Sequence, residues 1–300
     1  MTSTIPDRRL FARWTIAALL LLGCASASAG INGDEFDEST EPDVPDEIEW
    51  PEARFADPME RGRAFQPGNE FLFRAQWGIF RKAGSIAITV ESASHSDQEE
   101  ESLQVIMETA SAGVIRSFYP MDLESRTSLD PREFRVVRDE VDGIVRSKES
   151  RTVALFDYDE GKVVYTDELE PERNKIKKLP YDVTLDYASC ILQLRSWDLA
   201  VGSRYQMCVN SKGKFYFVEL EAVEKDRIRT EFGARDCFRI EPVRVFPQSK
   251  TFREGGKMAI WITDDAERIP VRVDVKTSFG TARMLLEEYQ LADTQELAKK

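Results

Sequence analysis

Histidine, the most versatile acid–base side chain near neutral pH, occurs once in the 300 residues, as His95. A serine hydrolase would hold that imidazole between a nucleophile and an orienting acid. Ser94 and Ser96 lie too close along the chain for such a design, so His95 reads as a solvated loop residue in the polar run from Ser92 to Glu101. A single histidine also rules out histidine-rich metal sites. Glu254-Gly255-Gly256-Lys257 lacks both the glycine spacing and the following Ser or Thr of a phosphate loop, and no dinucleotide fingerprint opens a helix after a strand. No catalytic residue, metal ligand or cofactor is assigned from these residues.

Paired carboxylates are the one enzymatic option left. Asp264-Asp265 follows an apolar run from Met258 to Thr263, and Asp122 with Glu124 follows Phe118-Tyr119-Pro120-Met121. Two carboxyl groups a few ångströms apart can cleave a glycosidic bond, yet Asp-Asp at a strand end is also what an ordinary turn looks like. Asp186 and Arg195 fall near the two ends of a helical stretch, where each charge favours the helix dipole; the alternative is that either reaches a polar ligand.

Four cysteines complete the inventory: Cys24, Cys190, Cys208 and Cys237. Cys190 sits in the apolar helical stretch and reads as a buried free thiol. Cys208 alternates with Gln206 and Asn210, and Cys237 with Arg239, so both fall on the polar side of their strands. Free cysteines prefer burial, which makes these two candidate disulfide partners if their strands are neighbours. If the strands are not neighbours, both thiols stay free.

The elements that would carry these residues are mostly strands. Ile86, Ile88 and Val90, then Leu103, Val105 and Met107, then Val271, Val273 and Val275 alternate with small or polar residues at period two. Turn chemistry separates the runs at Asp142-Gly143, Asp159-Glu160-Gly161, Asn210 to Gly213, Phe232-Gly233 and Phe279-Gly280. The expected fold is mainly β: a curved antiparallel sheet, barrel-like or two-lobed, with one inserted helix near residues 184–199, capped by Asp182 or Thr184 and closed by Gly202. Phe215 and Tyr216 point to opposite faces of one strand, so part of the sheet is apolar on both sides and one face is available to line a cavity.

Ahead of the strands the composition changes twice. Arg8, Arg9 and Arg13 precede the apolar run Trp14 to Leu22, and small residues follow to Gly30, the order of a secretory signal over residues 1–29. The run is too short to serve as a stable membrane span. Leu21-Leu22-Gly23-Cys24 resembles a lipoprotein box, which would lipidate Cys24, while Ala27-Ser28-Ala29 suits plain secretion and Arg8-Arg9-Leu10-Phe11 resembles a twin-arginine signal. Residues 30–60 hold twelve acidic residues against Arg54 alone and four prolines, and read as a solvated tether. Residues 61–300 then form a single β-rich domain. With the formal net charge of −13 concentrated in the tether, nucleic acid is not a fitting partner.

Gly68-Asn69-Glu70-Phe71 with Trp77-Gly78 and Ala83-Gly84-Ser85, then Asp186, Ser189 and Leu194-Arg195, then Gly202, then Trp261-Ile262-Thr263-Asp264-Asp265 with Ile269-Pro270-Val271 resemble the domain of unknown function 3108 family over roughly Gly68 to Tyr289. The resemblance implies an exported bacterial protein, mostly antiparallel β, with no established activity and no catalytic residue to carry over. The reading favoured by the sequence is a non-enzymatic envelope protein, in the periplasm or lipid-anchored, binding an apolar or amphipathic ligand or docking an envelope lipid, glycan or protein. The alternatives are a carboxylate-based hydrolase of envelope glycans and a structural scaffold.

Overall fold

The period-two alternation becomes fourteen strands in a computed structural model that describes residues 48–94, 101–248, 257–277 and 280–292. They are β1 (Glu70–Trp77), β2 (Phe80–Ser94), β3 (Glu101–Ser111), β4 (Met121–Leu129), β5 (Val136–Val145), β6 (Lys148–Asp157), β7 (Lys162–Asp167), β8 (Lys175–Lys178), β9 (Arg204–Ser211), β10 (Lys214–Thr230), β11 (Gly233–Phe246), β12 (Met258–Thr263), β13 (Pro270–Thr277) and β14 (Gly280–Gln290). Among the described residues three short α-helices accompany them: α1 (Pro58–Gly62), α2 (Gly113–Phe118) and α3 (Tyr187–Gln193). All fourteen strands join one sheet in the order β8-β7-β6-β5-β4-β3-β2-β1-β14-β13-β12-β11-β10-β9. It consists of two antiparallel meanders, β1–β8 and β9–β14, stitched side by side where Phe71 faces Tyr289 and Phe73 faces Leu286.

Alternation sets which face is covered. Ile86, Ile88, Val90, Val105, Met107, Val271, Val273 and Val275 are all buried on the concave side, with their polar neighbours pointing outward. A sheet this wide cannot stay flat, because each strand pair adds twist in the same sense. It curls until its β9 end approaches the β5–β8 end. Leu185 forms a parallel bridge to Val209 of β9, while the Thr184 carbonyl accepts from Val136 N at the head of β5. Gly213, in the β9–β10 turn at φ +70°, lies so close to Tyr165 of β7 that a Cβ there would meet the Tyr165 Cβ at 3.1 Å. The sheet is barrel-like without being closed, since no β8–β9 ladder forms among the described residues.

That curl explains why strands β9 and β10 are apolar on both sides. Phe215, Tyr216, Phe217, Cys208 and Val209 are all buried. The face that the sequence left available for a cavity is covered by chain: the Tyr181 ring lies 6.2 Å from Phe217, and Trp50 packs edge-on at 5.9 Å against Tyr181 and at 5.7 Å against Phe246. The tether reading therefore needs correction over residues 48–60. This stretch is a strap on the domain, held by Trp50, by Phe55 edge-on to Tyr181 at 5.3 Å, by the Tyr181 hydroxyl donating to the Pro51 carbonyl and by α1, which Asp57 caps at Met59 N. Two large aromatics within an acidic run supply the apolar surface that a solvated segment lacks. Residues 30–47, with Cys24 and the signal segment, lie outside the described residues, as does His95.

The inserted helix is shorter than its periodicity suggests. Only α3 is α-helical, followed by a 3-10 turn over Leu194–Ser196, and the cap is Asp186 rather than Asp182 or Thr184: its carboxylate accepts from Ala188 N and Ser189 N. One further feature extends beyond the sheet. The β10–β11 hairpin pairs on past Asp226↔Cys237, beyond the last rung to β12 at Thr263, and this arm folds back over the convex face. There Asp226 accepts from Trp261 Nε1 at 2.8 Å, Glu231 pairs with Arg74 at 3.2 Å and Phe232 packs edge-on to Tyr289 at 5.1 Å.

Candidate functional site

The carboxylates singled out by sequence are engaged in local structure. Asp265 Oδ1 accepts from Thr263 Oγ1 and from the backbone N–H groups of Glu267 and Arg268, an ordinary Asx-type turn. Asp264 pairs with Lys225 and Arg268, and the Lys225 hydrogen bond holds its carboxyl below the ordinary range. Asp122 is paired in the same way with Arg116, and Glu124 with Arg126. None of the four presents a free carboxyl pair facing a cleft.

The two candidate disulfide cysteines are also kept apart. Cys208 on β9 faces Phe217 of β10, and Cys237 on β11 faces Asp226 of the same strand, so the pair is separated by a whole strand and by roughly nine residues along it, about 30 Å. A disulfide requires Cα atoms within roughly 7 Å. Both are buried free thiols, as is Cys190. The apparent polar faces misled because Asn210 is itself buried and Cys208 lies under Thr184.

A different carboxylate pair lies inside the curl. Asp139 of β5 points to the concave side opposite Thr127 and Ala154, where it accepts from Thr127 Oγ1 at 3.3 Å and Ser125 Oγ at 3.4 Å. Thr127 hydrogen-bonds Asp186 as well. Burial pushes Asp139 up to about 7, with the neighbouring Asp186 charge adding to the effect against the two hydroxyl hydrogen bonds. Burial raises Asp186 too. Along the chain Asp186 reads as a helix-end charge and Asp139 does not stand out, and their pairing is hidden because they are far apart in sequence; the available signal was one acid between Val137 and Val141 on the inward side of a strand. Their hydrogen bonds go to capping α3 and tying it to β4 and β5.

Arg195, read as a helix-end charge, is more enclosed than that. Its guanidinium lies over the Phe71 ring at 5.1 Å, with Nη2 donating to the Glu267 carbonyl at 3.5 Å. Burial pushes it down to about 10. Next to α3 a cavity of about 10 Å³, lined by Arg61, Leu185, Gln193, Trp197 and Cys208, has room for one water molecule at most.

A further recess lies on the convex side. It measures about 680 Å³ and is lined by Arg74 and Gln76 of β1, Gly78 and Ile79 of the β1–β2 turn, Arg81 and Lys82 of β2, and Arg283 of β14. Alternation aims Arg74, Gln76 and Arg283 outward, while the irregular register between Ala75 and Trp77 swings Arg81 and Lys82 to the rim. Arg74 is held by Glu287 at 2.6 Å and Glu231 of the arm, and Arg283 by Asp274 at 2.9 Å. Arg81 and Lys82 make no ion pair among the described residues and are exposed. Ile79 beside them is 84% exposed. This site is not visible along the chain: Arg74, Arg81 and Lys82 are near one another on β1 and β2, but Arg283 joins them only because β14 pairs with β1. Among the described residues no cluster of three or more His, Cys, Asp or Glu could hold a metal, and no helix is long and apolar enough to cross a membrane.

The sequence pattern of the family described as protein of unknown function (DUF3108) matches residues 72–287, from within β1 to within β14. The chain belongs to that family. The match spans both meanders and the seam between them, so the DUF3108 domain is the whole curled sheet, and every lining residue of the recess lies inside it. No curated protein matches the chain. Among solved structures, a β-barrel-like protein of the domain of unknown function DUF1849 from Brucella abortus aligns at 12% identity and TM-score 0.48, covering 76% of this chain and 99% of its own. A protein described as exported, with a YmcC-like fold, from Bacteroides fragilis NCTC 9343 aligns at 11% identity and TM-score 0.28, covering 75% and 97%. One from Parabacteroides distasonis ATCC 8503, described as a lipoprotein, aligns at 10% identity and TM-score 0.28, covering 80% and 100%.

Proposed function

We propose that this DUF3108 protein is a non-enzymatic exported protein of the cell envelope that binds an anionic, amphipathic envelope molecule in the basic recess. The signal-like N-terminus supports the location. The recess supports the ligand class: four cations and Gln76 gather in one concavity, two of the cations have no acidic partner among the described residues, and an exposed isoleucine stands at the edge. Arg and Lys suit phosphate or carboxylate oxygens, and Ile79 suits the first carbons of an acyl chain. The glycan-hydrolase reading has less support, because Asp264, Asp265, Asp122 and Glu124 are engaged in turns and ion pairs and the Asp139–Asp186 pair anchors a helix.

Titration with submicellar dihexanoyl phosphatidylglycerol, followed calorimetrically, tests the proposal. Saturable binding should weaken by about tenfold or more in the Arg81→Glu and Lys82→Glu variants, and dihexanoyl phosphatidylcholine should bind far less well. Equal affinity for the two lipids, or no binding of either, would overturn it.

A further inference from the structure

The β1–β2 turn shares its end of the sheet with α2, which connects β3 to β4. α2 is seated directly on β2: Ala112 N donates to the Ala83 carbonyl at 2.8 Å, and a Cβ on Gly113 would come within 2.9 Å of the Lys82 carbonyl. Gly113 takes φ +57° there, a conformation glycine adopts without penalty. This close seating brings three largely exposed apolar side chains to one end of the molecule: Ile79 is 84% exposed, Val114 53% and Phe118 49%.

Cations accompany them. Arg81 and Lys82 stand on the strand that α2 packs against, Arg116 projects from α2 itself, and Arg146 from the β5–β6 turn lies over the Tyr119 ring at 5.6 Å. Arg116 is paired with Asp122; Arg81 and Lys82 are not paired among the described residues. Apolar tips that project outward beside unpaired lysine and arginine match the layered chemistry of an anionic bilayer, with acyl carbon within reach of the tips and phosphates at the level of the cations. At the opposite end of the sheet Met59 of α1 is also exposed, but its immediate flanks are the acidic Asp57 and Glu60, with Arg63 one turn on.

We propose that the Ile79–Val114–Phe118 end of the sheet seats on an anionic lipid bilayer, with Ile79 and α2 entering the headgroup layer and Arg81 and Lys82 contacting lipid phosphates. This rests on the recess reading only in sharing those two cations. It adds that the ligand reaches the recess from the membrane plane.

The test is flotation of the exported chain carrying Cys24→Ser, so that no acyl group contributes, with vesicles of equimolar phosphatidylglycerol and phosphatidylcholine or of phosphatidylcholine alone. The chain should float with the anionic vesicles, less so as salt is raised. Ile79→Asp and Lys82→Glu should each lower partitioning by about tenfold. Met59→Asp, an equally exposed site at the other end, should leave it unchanged. Flotation that is insensitive to Ile79→Asp, equal loss in Met59→Asp, or no flotation would overturn the seating. Dihexanoyl phosphatidylglycerol binding by the Ile79→Asp protein separates the two proposals. If the soluble lipid binds but vesicles do not, the seating alone fails; if vesicles dock but the soluble lipid never binds, the recess reading alone fails.

Discussion

At the scale of single residues, the least ordinary group is the carboxyl of Asp139, enclosed beside Asp186 and held near pH 7 by burial. In the unfolded chain it would ionise near its ordinary 3.8, while the folded chain keeps the proton until about 7. Between those limits the folded state binds more protons than the unfolded state, so stability falls as pH rises from about 4 to about 7 and then levels off. Asp139→Asn keeps the shape and offers partners to Thr127 and Ser125 without the charge. Its melting temperature should therefore exceed that of the wild type at pH 8 and vary less between pH 5 and pH 8; thermal melts across that range check both. The cysteines give a second expectation. Burial pushes the thiols of Cys208 and Cys237 up to about 12, so native protein should react slowly with iodoacetamide at pH 8. All three thiols of the domain should be alkylated after denaturation without reductant, and a linked Cys208–Cys237 peptide would contradict the strand order.

At the scale of elements, the strap of residues 48–57 separates two kinds of acidic sequence. Trp50 and Phe55 bury aromatic surface against Tyr181 and Phe246, whereas residues 34–47 contain eight carboxylates, no lysine or arginine and one aromatic, Phe36. Deleting residues 34–47 should leave the melting temperature nearly unchanged and, by removing repulsion from anionic lipid, strengthen vesicle binding. Extending the deletion through Asp57 should destabilise the domain by about 3 kcal/mol or more, read as a lower urea midpoint. Helix α3 teaches a related lesson. Its apolar spacing runs well past Gln193, yet α-helix stops there, because Leu192, Leu194, Trp197 and Leu199 are buried by packing inside the curl, and burial of a short connecting segment produces apolar spacing with or without a continuous helix.

At the scale of the molecule, what was legible in the sequence was whatever alternation controls. Ile86-Ala87-Ile88 and Val271-Arg272-Val273 declare a half-buried strand without reference to anything distant, and a succession of such strands with short turns implies an antiparallel sheet that must curl. The sites were not legible because pairing between remote strands creates them. Arg74 and Arg283 meet only because β1 lies beside β14, Asp139 and Asp186 only because the curl folds α3 under β5, and the polar-face reading of Cys208 failed because the same curl covers the outer side of β9. Period two reveals which residues share a face; it does not reveal what will cover that face.

The seam between β1 and β14 bears on how the chain folds. Within each meander every strand pairs with its neighbour in sequence, so those contacts close short loops; Phe71 and Tyr289 must find one another across more than two hundred residues. Closing so long a loop costs entropy before any contact repays it, which makes this pairing a late event and leaves the two meanders to form as separate cooperative units first. The transition state should then contain the β2–β3 hairpin and lack the seam. Leu286→Ala, which removes a seam contact with Phe73, should accelerate unfolding in denaturant with little effect on the refolding rate, whereas Ile88→Val, opposite Met107, should slow refolding. Stopped-flow kinetics across urea concentrations measure both limbs, and a refolding rate that drops with Leu286→Ala would place the seam at the start of folding instead. Until the seam zips, the facing edges of β1 and β14 are unpaired, each able to recruit the matching edge of a second chain in an exchanged dimer.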